Sequence, residues 1–179
     1  MEIVQVSDYD ADFRYRVEDC RSYCTDKIYG DHYQDAIIPT NFENIHLRVI
    51  KTGDRGFYVA IEDVDNCIVG AVELINRTYK SFGRVLEPHS FIEKDYRGKG
   101  YVESVYRWLL DNGFRLVSGD RQTACSNGLW KKLSADYEFN YYDNWTDELI
   151  PVIEMTERNL ENSYIRKTLK KCCFSAPQA

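Results

Sequence analysis

Two groups of residues in this chain have types and spacing suited to chemistry. The first is Arg97-Gly98-Lys99-Gly100, set directly ahead of an apolar-periodic run that begins at Tyr101. Glycine costs backbone entropy, so a pair placed this closely answers a local demand. One such demand is a tight strand-to-helix turn that needs positive φ. Another is an anion cradle, in which small residues let successive N–H groups point at a phosphate from the positive end of a helix dipole. Arg97 and Lys99 would then add charge at the rim. A Walker loop, G-x-x-x-x-G-K-[ST], does not fit these residues, and the three-glycine dinucleotide fingerprint is absent.

The second group lies just upstream, in "RVLEPHSFIE". In an extended strand Glu87, His89 and Phe91 share one face by the period of two. Glu87 and His89 are candidates for a general base, and imidazole is attractive because its ordinary pKa lies close to neutrality. Glu73, on the strand before, is a third candidate. A solvated or hydrogen-bonded surface role is the competing reading for each. Metal chemistry has no support. The six cysteines include no pair with the two-residue gap of a zinc knuckle, and His32, His46 and His89 sit at no ligand spacing from them. Reduced, mostly buried thiols are expected.

The chain that must position these groups has 179 residues, 44% apolar and 29% charged, with fourteen tyrosines and three tryptophans. That length and composition predict one ordered domain with a real core. A net charge of −6 spread along the chain argues against a nucleic-acid surface, which needs a clustered basic face. No secretory signal and no apolar run long enough to span a bilayer are present, so a cytoplasmic location without membrane attachment is expected.

Hydrophobic periodicity supplies the elements. "EIVQVSD" reads as a short strand, residues 11–29 as a helix, and "FENIHLRVIKTG" as a second short helix ended by Gly53. "GFYVAIED" and "CIVGAVELINR" read as a β-hairpin turned by "VDN". "RVLEPHSFIE" reads as a third strand in which Pro88 needs a bulge or an edge position. The run Tyr101–Asn112 is helical, with Val102, Val105, Tyr106, Leu109 and Leu110 on one stripe. "FRLVSGD" follows as a strand, "SNGLWKKLSADY" as a shorter helix, and "EFNYYDNW" with "ELIPVIEM" as a closing strand pair. "TERNLENSYIRKTLKKC", acidic at its start and basic at its end, matches the dipole of a final helix.

"DYRGKGYV", between an apolar strand and an amphipathic helix, resembles motif A of the GNAT superfamily of N-acetyltransferases. That pattern is Gln or Arg, two residues, Gly, one residue, then Gly or Ala; Arg97, Gly100 and Val102 stand at its positions. Downstream, "SNGLWKKLSADYEF" is similar to the family's Asn, short helix, Tyr-x-Lys-Leu-Gly-Phe. The resemblance spans roughly residues 57–155. It implies an α+β fold with a mixed, mostly antiparallel central sheet flanked by helices, over residues 1–155, and an added C-terminal helix and tail over residues 156–179.

It also implies acetyl-CoA as acyl donor. The loop N–H groups, by position those of Arg97, Gly98, Lys99, Gly100, Tyr101 and Val102, would hold the pyrophosphate. The strand before the loop, here Phe91, Ile92 and Glu93, would splay from its neighbour and pair with the pantetheine arm. Asn127 would contact that arm, or simply cap its helix. The acceptor would be a primary amine of a small molecule, a protein lysine or an N-terminus, attacking directly; Asp26, Asp31 and Asp35 lie where a cationic amine would be received. Two positions depart from the pattern. Val102 replaces a small residue, so its branched Cβ would crowd the pyrophosphate. Trp130 replaces the tyrosine that protonates the departing thiolate, leaving Ser126 or Tyr137 to lead a water there. A protein of this fold that has lost its chemistry and works as a binding or inhibitory module, with a faint likeness to bacteriophage-encoded members, is the alternative.

Overall fold

A computed structural model describes residues 2–4, 36–51, 56–119, 121–155 and 165–171. Its strands are β1 (Glu2–Val4), β2 (Ala36–Ile38), β3 (Ile45–Lys51), β4 (Gly56–Asp63), β5 (Ile68–Tyr79), β6 (Gly83–Ile92), β7 (Leu116–Val117), β8 (Arg121–Thr123), β9 (Glu138–Asp143), β10 (Glu148–Pro151) and β11 (Ile165–Lys170). Among the described residues two α-helices accompany them, α1 (Tyr101–Asp111) and α2 (Ala124–Leu133). The fold is mixed α+β. Nine strands form a sheet in the order β10-β9-β11-β7-β6-β5-β4-β3-β2, antiparallel except between β6 and β7. A separate parallel pair joins β1 to β8. No helix among the described residues is long and apolar enough to cross a membrane.

One face of the sheet carries both helices. Val59, Ile61, Val72, Leu74, Leu86, Leu116 and Leu169 from the strands pack with Val105, Tyr106, Leu109 and Leu110 of α1 and Trp130 and Leu133 of α2. The α1 stripe is therefore the one its periodicity predicts, with Val102 at its partly buried end. Asn112 closes the helix by donating from Nδ2 to the Trp108 carbonyl at 2.8 Å. Thr123 caps α2, its Oγ1 accepting from the Ser126 N–H at 3.1 Å. The β4–β5 hairpin forms as expected, and Asp63 Oδ1 fixes its turn by accepting from the N–H groups of Asp65 and Cys67 at 3.0 and 2.9 Å. The β9–β10 pair is also as read.

Three expectations are corrected. "IHLRVIK" is strand β3, not helix: Ile45, Leu47 and Val49 alternate onto the core face, and every residue of β3 pairs with β4. The expected C-terminal helix is, over Ile165–Lys170, strand β11, set between β7 and β9. Dipole matching is worth only about 0.3–1 kcal/mol. Ladders on both edges of β11 and burial of Ile165 and Leu169 to 3% and 1% exposure outweigh it. The thiols of Cys67 and Cys125 are exposed rather than buried, since one follows the hairpin turn and the other lies in the first turn of α2. The helix expected over residues 11–29 and residues 156–164 of the final one lie outside the described residues.

Ending the chain after residue 164 should abolish the folded state, because β7 and β9 would each lose a ladder partner at the centre of the sheet. An appended helix would be dispensable. Loss of the cooperative thermal transition in circular dichroism checks this.

Candidate functional site

The glycine turn begins where β6 ends. A 3-10 turn, Lys94–Tyr96, leads to Arg97, whose Nε donates to the Ile92 carbonyl at 2.8 Å and folds the loop back onto its strand. Gly98 and Gly100 have φ of 75° and 88°. A Cβ at either would meet nothing within 4 Å, so the requirement for glycine here is conformational, not steric. Gly100 is the N-cap of α1, with no side-chain cap, and its carbonyl accepts the first helical bond, from the Ser104 N–H at 3.0 Å. The N–H groups of Tyr101, Val102 and Glu103 precede that bond and point along the axis out of the helix start. Lys99 Nζ lies 4.9 Å from the centre of the Tyr96 ring, so both loop cations stand at the same exposed rim. The side chain of Val102 packs against the core, as does that of Tyr101, whose ring meets Phe42 edge-on at 4.7 Å. The expected crowding by Val102 is therefore directed into the protein.

The strand that leads to this turn loses its neighbour. β6 and β7 share a single parallel pair, Leu86 with Leu116, closed by the Leu86 N–H donating to the Arg115 carbonyl at 2.8 Å. By strand alternation the next main-chain groups on that edge belong to Pro88, Ser90 and Ile92. Pro88 has no N–H to give. The ladder therefore stops there, while on its other edge β7 stays paired with β11, where the Ser118 N–H donates to the Lys167 carbonyl at 2.8 Å. The edge position that Pro88 was expected to need exists in the middle of the sheet. The gap also sorts the expected pantetheine contacts. By parity the Ile92 main chain faces the β7 edge, where its carbonyl already accepts from Arg97 Nε, whereas the Glu93 N–H donates to the Val69 carbonyl of β5 at 2.9 Å. Parity counted from Pro88 puts Ser90 on the same edge as Ile92, a residue the sequence reading did not select.

On the face of β6 opposite the helices stands a charge cluster. Glu87 is buried, and its carboxylate accepts from Arg77 Nε at 2.7 Å and from His89 Nε2 at 3.2 Å, with an Arg166 guanidinium nitrogen 3.9 Å away. Burial alone pushes this carboxyl up, but the hydrogen bonds from His89 and Arg77 outweigh it and hold the group down at about 2. An ionised carboxylate only accepts, so His89 must place its proton on Nε2 and present Nδ1 as the basic atom. Glu73 faces His89 directly across the β5–β6 ladder. The structure thus brings together all three candidate bases. Glu87 is the orienting member and a poor base, because its proton affinity is too low.

The remaining candidates lie on the helix face. Tyr137 donates its hydroxyl to Asp111 Oδ1 at 3.2 Å, at the end of α1 away from the glycine turn, and burial followed by the Asp111 charge pushes its pKa up. Trp130 is buried edge-on against Tyr106. Ser126 is half-buried in the first turn of α2, and Asn127 beside it accepts through Oδ1 from Lys167 Nζ. Sequence reading did not select Lys167; a lysine alternating with Ile165 and Leu169 was its only trace. Asp26, Asp31 and Asp35 lie outside the described residues. Among the described residues no three His, Cys, Asp or Glu side chains gather as metal ligands.

No protein-family model matches this sequence, and no curated protein matches it.

Because the folded-state pKa of Glu87 is depressed from the ordinary 4.5 to about 2, its stabilisation is complete above the ordinary value and is lost as pH falls through about 2. The stability difference between wild type and Glu87→Gln should be on the order of 3 kcal/mol near neutrality and should shrink steadily below about pH 4. Chemical denaturation at a series of pH values measures it.

Proposed function

We propose that the chain is an acetyl-CoA-dependent N-acetyltransferase of the GNAT type, acting on a primary amine. The observation that carries this reading is a juxtaposition. A glycine turn at a helix start is joined to a strand whose neighbour leaves it after one residue pair, with a Glu–His couple on that same strand. The glycine turn suits a pyrophosphate: the N–H groups of Tyr101, Val102 and Glu103 converge at the positive end of α1, and Arg97 and Lys99 stand nearby. The edge of β6 beyond the Leu86–Leu116 pair suits an amide-bearing arm, since by strand alternation the extended main chain directs the Ile92 N–H toward it.

The donor supplies an activated thioester, and the chain supplies position and proton transfer. The turn anchors one end of the donor and β6 orients the other, which converts a bimolecular encounter into a reaction between held groups. His89 receives the proton of the attacking amine on Nδ1. Glu87 holds the imidazole in that tautomer and stabilises the imidazolium that results, while Arg77 keeps Glu87 ionised. Such a couple contributes about 10²–10⁴-fold.

A second reading, a binding module of this fold without turnover, is favoured by one observation: Trp130 is a core residue and Tyr137 is engaged with Asp111, so neither supplies an acid for the leaving sulfur.

A donor site with micromolar affinity should stabilise the protein by about 4 kcal/mol at a thousandfold excess over Kd, read as a rise in Tm with added acetyl-CoA. Gly100→Glu should remove that rise, because it sets a carboxylate where the pyrophosphate must lie. No rise in the wild type would refute the acetyltransferase reading; a rise without release of coenzyme A in the presence of primary amines would favour the module.

His89→Gln should keep the Tm rise and slow coenzyme A release by about 10²–10⁴-fold. Unchanged turnover would remove His89 from the mechanism.

A further inference from the structure

Lys167 is a buried lysine on the third strand of the sheet order, 7% exposed, on the helix-facing side of β11 with Ile165 and Leu169. Its main chain is tied twice to Ser118: its N–H donates to Ser118 Oγ at 2.9 Å and its carbonyl accepts from the Ser118 N–H at 2.8 Å. Its Nζ donates to Gln122 Oε1 of β8 at 3.3 Å and to Asn127 Oδ1 of α2. Both acceptors are neutral amides. Among the described residues the other charged or titratable groups around it give no counter-ion. Tyr141, its register partner on β9, is kept protonated by burial, Arg166 points to the opposite face toward Glu87, and Lys170 pairs with Glu138. Burial holds the Lys167 amine down at about 8.

An ammonium taken out of water without an opposite charge costs several kcal/mol, and amide dipoles return only part of it. What would complete this site is an anion. Its position says which one. Ser118 follows the end of β7, on the far lip of the gap that opens beyond the Leu86–Leu116 pair, and Lys167, tied to it on β11, belongs to the helix face of the sheet. The Glu87–His89 couple belongs to the other face. An amine deprotonated by His89 therefore reaches a carbonyl held in the gap from one side, and the leaving sulfur departs toward the other.

Resting on the acetyltransferase reading, we infer that Lys167 is the counter-ion and proton donor for the sulfur that leaves. The C–N bond forms as His89 accepts the amine proton, the C–S electron pair goes to sulfur, and the Lys167 ammonium gives that sulfur its proton and regains one from solvent. A thiol of ordinary pKa near 8.5 and this amine are matched closely enough for the proton to pass either way. Asn127 is then a positioning residue that aims the ammonium.

Calorimetric titration with coenzyme A and with desulfo-coenzyme A, in buffers of differing ionisation enthalpy, tests this without turnover or an acceptor. Coenzyme A should bind with release of close to one proton, its affinity relative to the desulfo compound rising about tenfold per pH unit below the ordinary thiol pKa. The desulfo compound should release none, and in Lys167→Met coenzyme A should also release none. A purely structural lysine would leave the proton count of the two ligands equal. Equal counts with both ligands bound by the wild type overturn this inference and leave the acetyltransferase reading standing. Failure of the wild type to bind either ligand overturns both. The wild-type comparison decides the matter even where the variant does not fold.

Discussion

The missing N–H of Pro88 is the constraint on which the site depends. A nine-stranded sheet gains most of its cohesion from continuous main-chain pairing, and β6 is held to β5 along its whole length. On the other edge the parallel pairing with β7 lasts one residue pair and meets a residue that cannot donate. The two strands part there, while β7 is held on its other edge by β11. An opening at the centre of a sheet would leave the molecule in two halves, were it not bridged from the helix side. Leu86 and Leu116, the last paired residues, lie in one apolar cluster with α1 and α2. Salt bridges from Glu103 and Arg107 of α1 to Lys132 and Asp136 at the end of α2 tie the two helices over the junction.

The two ionic groups that flank the opening are solved in opposite ways. Glu87 is buried among more positive partners than it needs, so its charge is secured and its basicity is given up to His89. Lys167 is buried, and among the described residues its charge is carried by two amide oxygens. Low-dielectric surroundings magnify both conditions. Surplus positive charge thus lies beside the gap on each face, and an oxyanion or a thiolate formed between them would find favourable fields on both sides.

Much of the architecture was legible because single elements announce themselves. The α1 stripe repeats at helical spacing, β4 is a nearly unbroken run of β-branched and aromatic residues, and Gly98 and Gly100 mark the turn between strand and helix. Pro88 told of an edge, and an edge is what it has. The misreadings share a cause. In β3 the glycine that follows "IHLRVIK" suits a helix end, while the period of two within the stretch decides the outcome. In β11 the charge gradient spoke for a helix, while "IRKTLK" alternates correctly only if a lysine is accepted as an interior residue.

The sequence by itself determined the local conformations: which runs bury a stripe, where glycine must take positive φ, and where proline must lack a partner. These follow from side-chain shape and backbone sterics within a few residues. It also brought Glu87 and His89 to one face, since residues two apart in a strand have no choice. Tertiary structure alone decided that β11 enters between β7 and β9, that Arg77 and Arg166 converge on Glu87, and that Lys167 meets Gln122 and Asn127. Those partners are joined by main-chain pairing and packing between segments far apart in the chain, and the strength of a buried charge is set by such neighbours, whose closeness no local pattern records.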